Sequence, residues 1–186
     1  WTLGNEALSV APAKVSVAAG TSQKVTLQVP VGKDVLKYWT PEHPNLYALL
    51  LSVKNQKQTV DTKYERFGWR EWTLQGTTQC LNGEPYALHG DSWHFMGIPQ
   101  MTRRYAWAWF TAIKGMNANA VRPHAQVYPR FYLDMADEMG ICVLNETANW
   151  ASDGGPKLDS DLFWETSKSH LKRFVLRDRN HASVFG

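Results

Sequence analysis

At 186 residues, with 44% hydrophobic and 20% charged side chains, the chain has the composition of a globular protein able to bury one or two cores. Its formal net charge of +3, from 20 basic and 17 acidic residues, is near balance and lacks the basic stripe that phosphate neutralisation demands, so nucleic acid is not an expected partner. No apolar run approaches the roughly 18 residues of a membrane span, and Trp1 to Glu6 lack the basic-then-apolar order of a signal peptide, so no membrane partner is expected either.

The first stretch alternates. Residues 14–20 and 23–30 place apolar side chains at every second position between Gly and Pro, as half-buried antiparallel strands do. Residues 46–53 and 59–67 continue the pattern, and short strands with turn residues between them predict a β-sandwich over residues 1–75. Seventy residues hold fewer strands than the roughly seven of an immunoglobulin-like sandwich, so this domain is expected to be truncated at its amino end.

After Gly83 the rhythm becomes strand then helix. Residues 85–90 predict a short strand, and from Thr102 to Met116 the spacing of Tyr105, Trp109, Ile113 and Met116 predicts a helix. Residues 118–122 predict a second strand. Pro129 and Gly140 bracket a second helix, with proline at its start and glycine just past its end. Residues 141–144 form an apolar run of the kind buried on both faces of a parallel sheet. A third helix is predicted over 160–179, capped by Asp159 or Ser160, with Leu162, Phe163, Leu171, Phe174 and Val175 inward. Residues 183–185 begin a fourth strand. This alternation predicts a parallel sheet over residues 76–186, and without a Rossmann or phosphate-loop glycine pattern the expected outcome is the first half of a TIM (β/α)8 barrel.

In such a barrel the chemistry sits at the carboxyl ends of the strands. Those ends read His89 to His94, then Arg122-Pro123-His124, then Asn145-Glu146 to Trp150. Together they would form a polar, aromatic-walled pocket suited to sugar hydroxyls and ring faces. Aromatic content is 12%, with nine Trp, and Trp93 and Trp150 are candidate platforms for sugar rings, although large aromatics more often fill cores. Two other readings stand beside this one. His89, Asp91 and His94, with His124, could converge on a metal ion, although no H-E-x-x-H spacing supports it. Glu146 could act as a general acid or base, or it could pair with Arg122 from the neighbouring strand. Cys80 and Cys142 fall in unlike contexts with no metal spacing, and their pairing stays open.

Several motifs carry a family resemblance. Trp39 to Tyr47 and Arg66-Phe67-Gly68-Trp69-Arg70-Glu71 are similar to the paired signatures that close the immunoglobulin-like domain in glycoside hydrolase family two. Leu81 to Pro85, Asn119-Ala120-Val121-Arg122 and Arg177 to Val184 resemble its later signatures, in the same order. The family holds β-galactosidases, β-glucuronidases and β-mannosidases. The resemblance implies that His94 contacts the sugar, with Ser92 where Asn is usual and Phe95 in place of an acid. It also implies that Arg122 lies beneath the catalytic carboxylates, where a fixed cation keeps an anionic nucleophile charged. His124 stands one position nearer to that arginine than the histidine usual in β-galactosidases, Glu146 matches a supporting carboxylate, and Trp150 replaces a metal-binding Glu. Sugar contacts are therefore expected from His94, Asp91, Arg122, His124 and Trp150, with Arg122 and Glu146 supporting the catalysts and no metal or other cofactor.

The family cleaves glycosidic bonds with two glutamates about 5–5.5 Å apart and retention at the anomeric carbon. Both would lie beyond Gly186, so the expectation is a piece of a retaining, β-galactosidase-like glycosidase that is inactive alone, with an oligosaccharide or polysaccharide as partner. A non-catalytic carbohydrate-binding or scaffold protein is the alternative. Half a barrel would expose a parallel strand edge, which predicts self-association or the remainder of a larger chain. The sequence leaves the compartment open, with a periplasmic or secreted location preferred to the cytoplasm.

Overall fold

The computed structural model describes residues 8, 10–32, 34–94, 97–149 and 158–186, and the chain divides into two compact units, 1–37 and 38–186. The described part of the first unit is extended chain with two turns. Thr21 N–H and its hydroxyl both donate to Ala18 O, at 3.1 and 2.8 Å, and Val35 N–H donates to Gly32 O at 3.1 Å. The strands expected over 14–20 and 23–30 carry no ladder among the described residues. Alternation fixes an extended backbone, but a strand also needs a neighbour for its N–H and C=O groups. Here Val15, Val17, Val25 and Leu27 stand 44–51% exposed.

The second unit opens with a long antiparallel hairpin, β1 (Tyr47–Asn55) and β2 (Gln58–Phe67), joined at Gln56, whose φ is 54°. Both faces of the hairpin are exposed along most of its length; burial begins at Glu65, Arg66 and Phe67. A three-stranded antiparallel sheet follows: β3 (Trp72–Gln75), β4 (Thr78–Leu81) and β5 (Glu84–Pro85). Sequence reading missed this sheet, although the Asn82-Gly83 dipeptide between β4 and β5 signals it. Both residues have positive φ, 54° and 89°, as a tight hairpin turn requires.

The parallel sheet consists of β6 (Gly90–Trp93), β7 (Ala120–Pro123) and β8 (Cys142–Val143), paired in chain order. Val184 adds a fourth parallel position beside Val143, held by Val143 N–H to Ser183 O at 2.8 Å and Phe185 N–H to Val143 O at 3.1 Å. The first parallel strand therefore starts at Gly90 rather than at Pro85. Residues 84–85 pair with β4 instead, and Gly90 lies so close to β7 that a Cβ on it would come within 2.7 Å of Ala120 O.

Three helices connect these strands. In α1 (Arg103–Gly115) the Thr102 hydroxyl accepts from Tyr105 N–H at 3.1 Å, satisfying one of the free amides of the first turn. Thr102→Ala is expected to cost about 1 kcal/mol of stability, read as a shift of the urea midpoint at unchanged slope. Met116, expected inward, is exposed because it falls past the last turn. In α2 (Arg130–Met139) proline occupies the capping position and Gly140 ends the helix with φ 70°. A side chain at 140 would also strike Pro41 O at 2.0 Å, so both backbone conformation and space demand glycine. In α3 (Asp161–Asp178), capped by Ser160, the inward side is Phe163, Ser167, His170, Phe174 and Asp178. Leu162, Leu171 and Val175 were expected there, and they are exposed, Leu162 by 73%. Apolar residues occur all round this helix, so the pattern alone could not fix its phase.

The core lies between the sheet and the first two helices, with Phe110, Ile113, Tyr132, Leu133, Val121 and Val143 buried together. Trp93 belongs to it, 8% exposed and stacked on Trp109 at 4.5 Å, so it is not a sugar platform. On the opposite face small residues, Ala120, Cys142 and Ala182, make room for Trp39, whose Nε1–H donates to Asp137 O at 2.9 Å. Cys80 and Cys142 are both buried free thiols.

The segments around Arg66 and His181 meet behind this face. Arg66 of β2 donates to Glu138, to Asp134 O at 2.7 Å, and lies 3.7 Å from the Asp137 carboxylate. Asp137 in turn accepts Ser183 N–H at 2.8 Å and contacts His181 Nδ1 at 2.7 Å. Arg70 donates to Ala182 O at 2.9 Å and also to Val184 O. Gly68 faces Ala182 so closely that an added Cβ would come within 2.7 Å of the alanine Cβ.

Candidate functional site

The candidate site forms where β6, β7 and β8 end. Pairing sets Ser92 beside Arg122, and because side chains alternate across a sheet, both project to the face opposite the helices. Arg122 Nη2 donates to Glu146 Oε1 at 2.8 Å, and its Nη1 lies 3.4 Å from Ser92 Oγ. Ala125 N–H donates to Glu146 Oε2 at 2.8 Å. Both oxygens of one carboxylate are thus engaged, one by a neighbouring strand and one by the loop that follows it. Ala125 makes this contact from φ 47°, an uncommon backbone state for a residue with a Cβ.

Partial burial works to raise the Glu146 pKa, but it is outweighed by the Arg122 hydrogen bond, the Ala125 amide and the charges of Arg122 and His124. The net shift is downward, and Glu146 is a carboxylate at neutral pH. The sign is therefore that of a group whose contribution is present at neutral pH and is lost as pH falls through its folded pKa. Arg122 and Glu146 are 40% and 30% exposed, so their pairing adds little to stability and its effect is to fix direction. Beside them the rings of His94 and His124 lie 4.2 Å apart, tilted by 31°, and His124 N–H donates to Trp93 O at 2.8 Å.

The structure thus gathers His94, Arg122, His124 and Glu146, as expected. It does not gather Asp91, which alternates with Ser92 and shares the face of Trp93 and Val121; its carboxylate accepts Ser92 N–H at 2.7 Å. Trp150 lies outside the described residues. His89 precedes β6 and His94 follows it, so about 13 Å of strand separates them and one metal ion cannot be shared by both. Among the described residues the group with ligand atoms close enough for a metal is Asp134, Asp137 and His181, within 4.8 Å, and the Arg66 guanidinium already pairs with its two carboxylates. Ser92 and the Ala125 amide were not singled out as partners of the pair, because one depends on strand register and the other on an unusual turn.

A parallel sheet wound in chain order, with a carboxylate and an arginine joined at its carboxyl ends, defines an α/β arrangement. Residues 3–70 match the family model for glycosyl hydrolases family 2. A Formosa agariphila protein provisionally named a β-glucuronidase is 32% identical over 155 residues, covering 80% of this chain and 15% of that protein. A β-galactosidase of Pseudoalteromonas haloplanktis is 31% identical over 162 residues, with the same shares covered. The crystal structure of Parabacteroides merdae β-glucuronidase superposes with a TM-score of 0.70 at 27% identity, covering 80% of this chain and 18% of that one. The chain thus resembles glycosyl hydrolases family 2 in its family-model match and in these relatives, and it spans about 15% of the length of the curated relatives it matches.

Proposed function

We propose that the chain is part of a retaining β-glycosidase, comprising an immunoglobulin-like β-sandwich module in residues 1–75 and the first half of a (β/α)8 barrel in residues 76–186. The observation that carries this reading is the Arg122–Glu146 pair, with Ser92 beside it, at the carboxyl ends of strands paired in chain order. Sequential order supports a closed barrel over a doubly wound sheet, in which the order reverses at a switch point.

In this reading Arg122 is held by Glu146 with a donor face toward the sugar-binding side, where it stabilises the charged form of an anionic nucleophile. His94 and His124 border the sugar. The two catalytic glutamates follow on later strands; one protonates the leaving oxygen while the other attacks the anomeric carbon. Substrates are carbohydrates with a β-glycosidic bond, and the relatives make β-galactosides and β-glucuronides the first to try.

The test is to express the longest protein that the reading frame encodes and assay it on a panel of aryl β-glycosides. Hydrolysis is expected, and it should be abolished when the glutamate of the first Asn-Glu pair after Val184 is changed to Gln. No hydrolysis of any sugar, with a sugar retained on affinity electrophoresis, would favour a carbohydrate-binding protein instead. Residues 1–186 alone should show no turnover.

A further inference from the structure

Asn145 stands between β8 and Glu146, and the bonds it makes go beyond the roles already described. Its N–H donates to Gly186 O at 2.9 Å, tying it to the fourth strand. Its side-chain Nδ2 donates to Asp178 Oδ2 at 3.0 Å. Asp178 closes α3 and is 3% exposed, the one buried residue of that helix. Arg177 holds the same carboxylate with two bonds, Nε to Oδ1 at 2.6 Å and Nη2 to Oδ2 at 2.7 Å. The same Nη2 also donates to Tyr128 O at 3.0 Å, in the loop that leads from His124 to α2. One buried carboxylate therefore joins the end of α3, the end of β8 and the loop beyond β7.

We infer that Asn145 is a positioning residue: its amide, donating to buried Asp178, fixes the strand end from which Glu146 reaches Arg122. The inference rests on the glycosidase reading for its effect on turnover. The requirement is for a donor at 145. Asp178 is an acceptor when ionised, and Nδ2 meets it while Oδ1 of Asn145 is buried without a partner, so an aspartate at 145 would set two carboxylates against each other. Arg177 pairs with that carboxylate from α3, Asn145 faces it from β8, and the Tyr128 carbonyl in the loop before α2 accepts from Arg177. One cation cannot neutralise two buried carboxylates, so at neutral pH the pair repels, and in acid it takes up a proton that restores a donor.

The experiment compares Asn145→Asp, Asn145→Ala, Asp178→Asn and the reciprocal double change N145D/D178N in the longest encoded protein. For N145D at neutral pH, kcat is expected to fall about tenfold with KM within about twofold, since the interaction lost is one that orients rather than binds. The loss should shrink toward pH 5, where the carboxylate pair keeps a proton, and the double change should regain most of the activity because one donor again faces one carboxylate. N145A, which adds no charge, should lose activity without acid recovery. Melting temperature against pH follows the contact separately: the N145D deficit should likewise shrink in acid and in the double change. N145D at wild-type kcat, or a loss that is the same at every pH and survives the double change, would overturn the inference. A parent protein inactive on all glycosides would count against the glycosidase reading, and the melting curves would still decide for or against the Asn145–Asp178 contact.

Discussion

Arg122→Ala in the longest encoded protein is expected to lower kcat by roughly a hundredfold, the usual scale for removing one fixed charge or donor from a reacting centre. The side chain is aimed by Glu146 Oε1 at 2.8 Å and flanked by Ser92, so its position is set before any substrate arrives. The effect should fall mainly on kcat, because a cation beneath an anionic nucleophile matters most as charge redistributes. Arg122→Lys keeps the charge but loses the planar fork that spans Glu146 and Ser92, and it should recover only part of the rate. Glu146→Gln is the companion change. It leaves an acceptor for Arg122, so turnover should drop by about tenfold or less and remain measurable. Complete loss on Glu146→Gln would make Glu146 a catalyst and overturn its orienting role.

Asp137→Ala is expected to destabilise the protein by roughly 3–5 kcal/mol, the scale of breaking a buried charged network by removing one partner. Asp137 is 2% exposed and serves three groups at once: Ser183 N–H, His181 Nδ1 and the Arg66 guanidinium. Without it a buried amide and a buried imidazole lose their acceptor, and the carboxylates left beside Arg66 include the more exposed Asp134 and Glu138. Chemical denaturation at neutral pH measures the change, and Asp137→Asn, which retains one acceptor, should lie between alanine and wild type. A loss below about 1 kcal/mol for alanine would show that these motifs are not held through this carboxylate.

Where the chain alternates strand with helix, the sequence was informative because a single burial pattern repeats. Thr102, Pro129 and Ser160 mark the helix starts and Gly140 marks an end; apolar residues at helical spacing place Ile113 and Leu133 inward. It failed where pattern is not enough. Residues 14–30 alternate yet pair with nothing among the described residues, because alternation sets backbone shape and not partnership. In α3 apolar side chains surround the helix, and the inward row includes Ser167, His170 and Asp178, which apolar spacing passes over. Arg122 and Glu146 could be anticipated because each stands at or just past the carboxyl end of a predicted strand. Asp91 could not be excluded from the site until register showed it out of phase with Ser92, and Trp93 looked like a sugar platform until its stacking on Trp109 placed it in the core. The signatures around Arg66 and His181 mark kinship, and their partners show what they do: they tie the hairpin and the segment after α3 to one another and to α2.

Arg70 touches two carbonyls spaced two residues apart, those of Ala182 and Val184, while the intervening Ser183 carbonyl is taken by Val143. Successive carbonyls of an extended chain point to opposite edges, so one guanidinium can read the parity of the fourth strand, accepting it in one phase only. Slippage by a single residue would present Ser183 O to Arg70 and turn every later side chain of the strand to the wrong side. A residue far in sequence from the strand ends therefore acts as an indexing pin: it decides which side chains after Val184 look toward Arg122 and which look toward the helices.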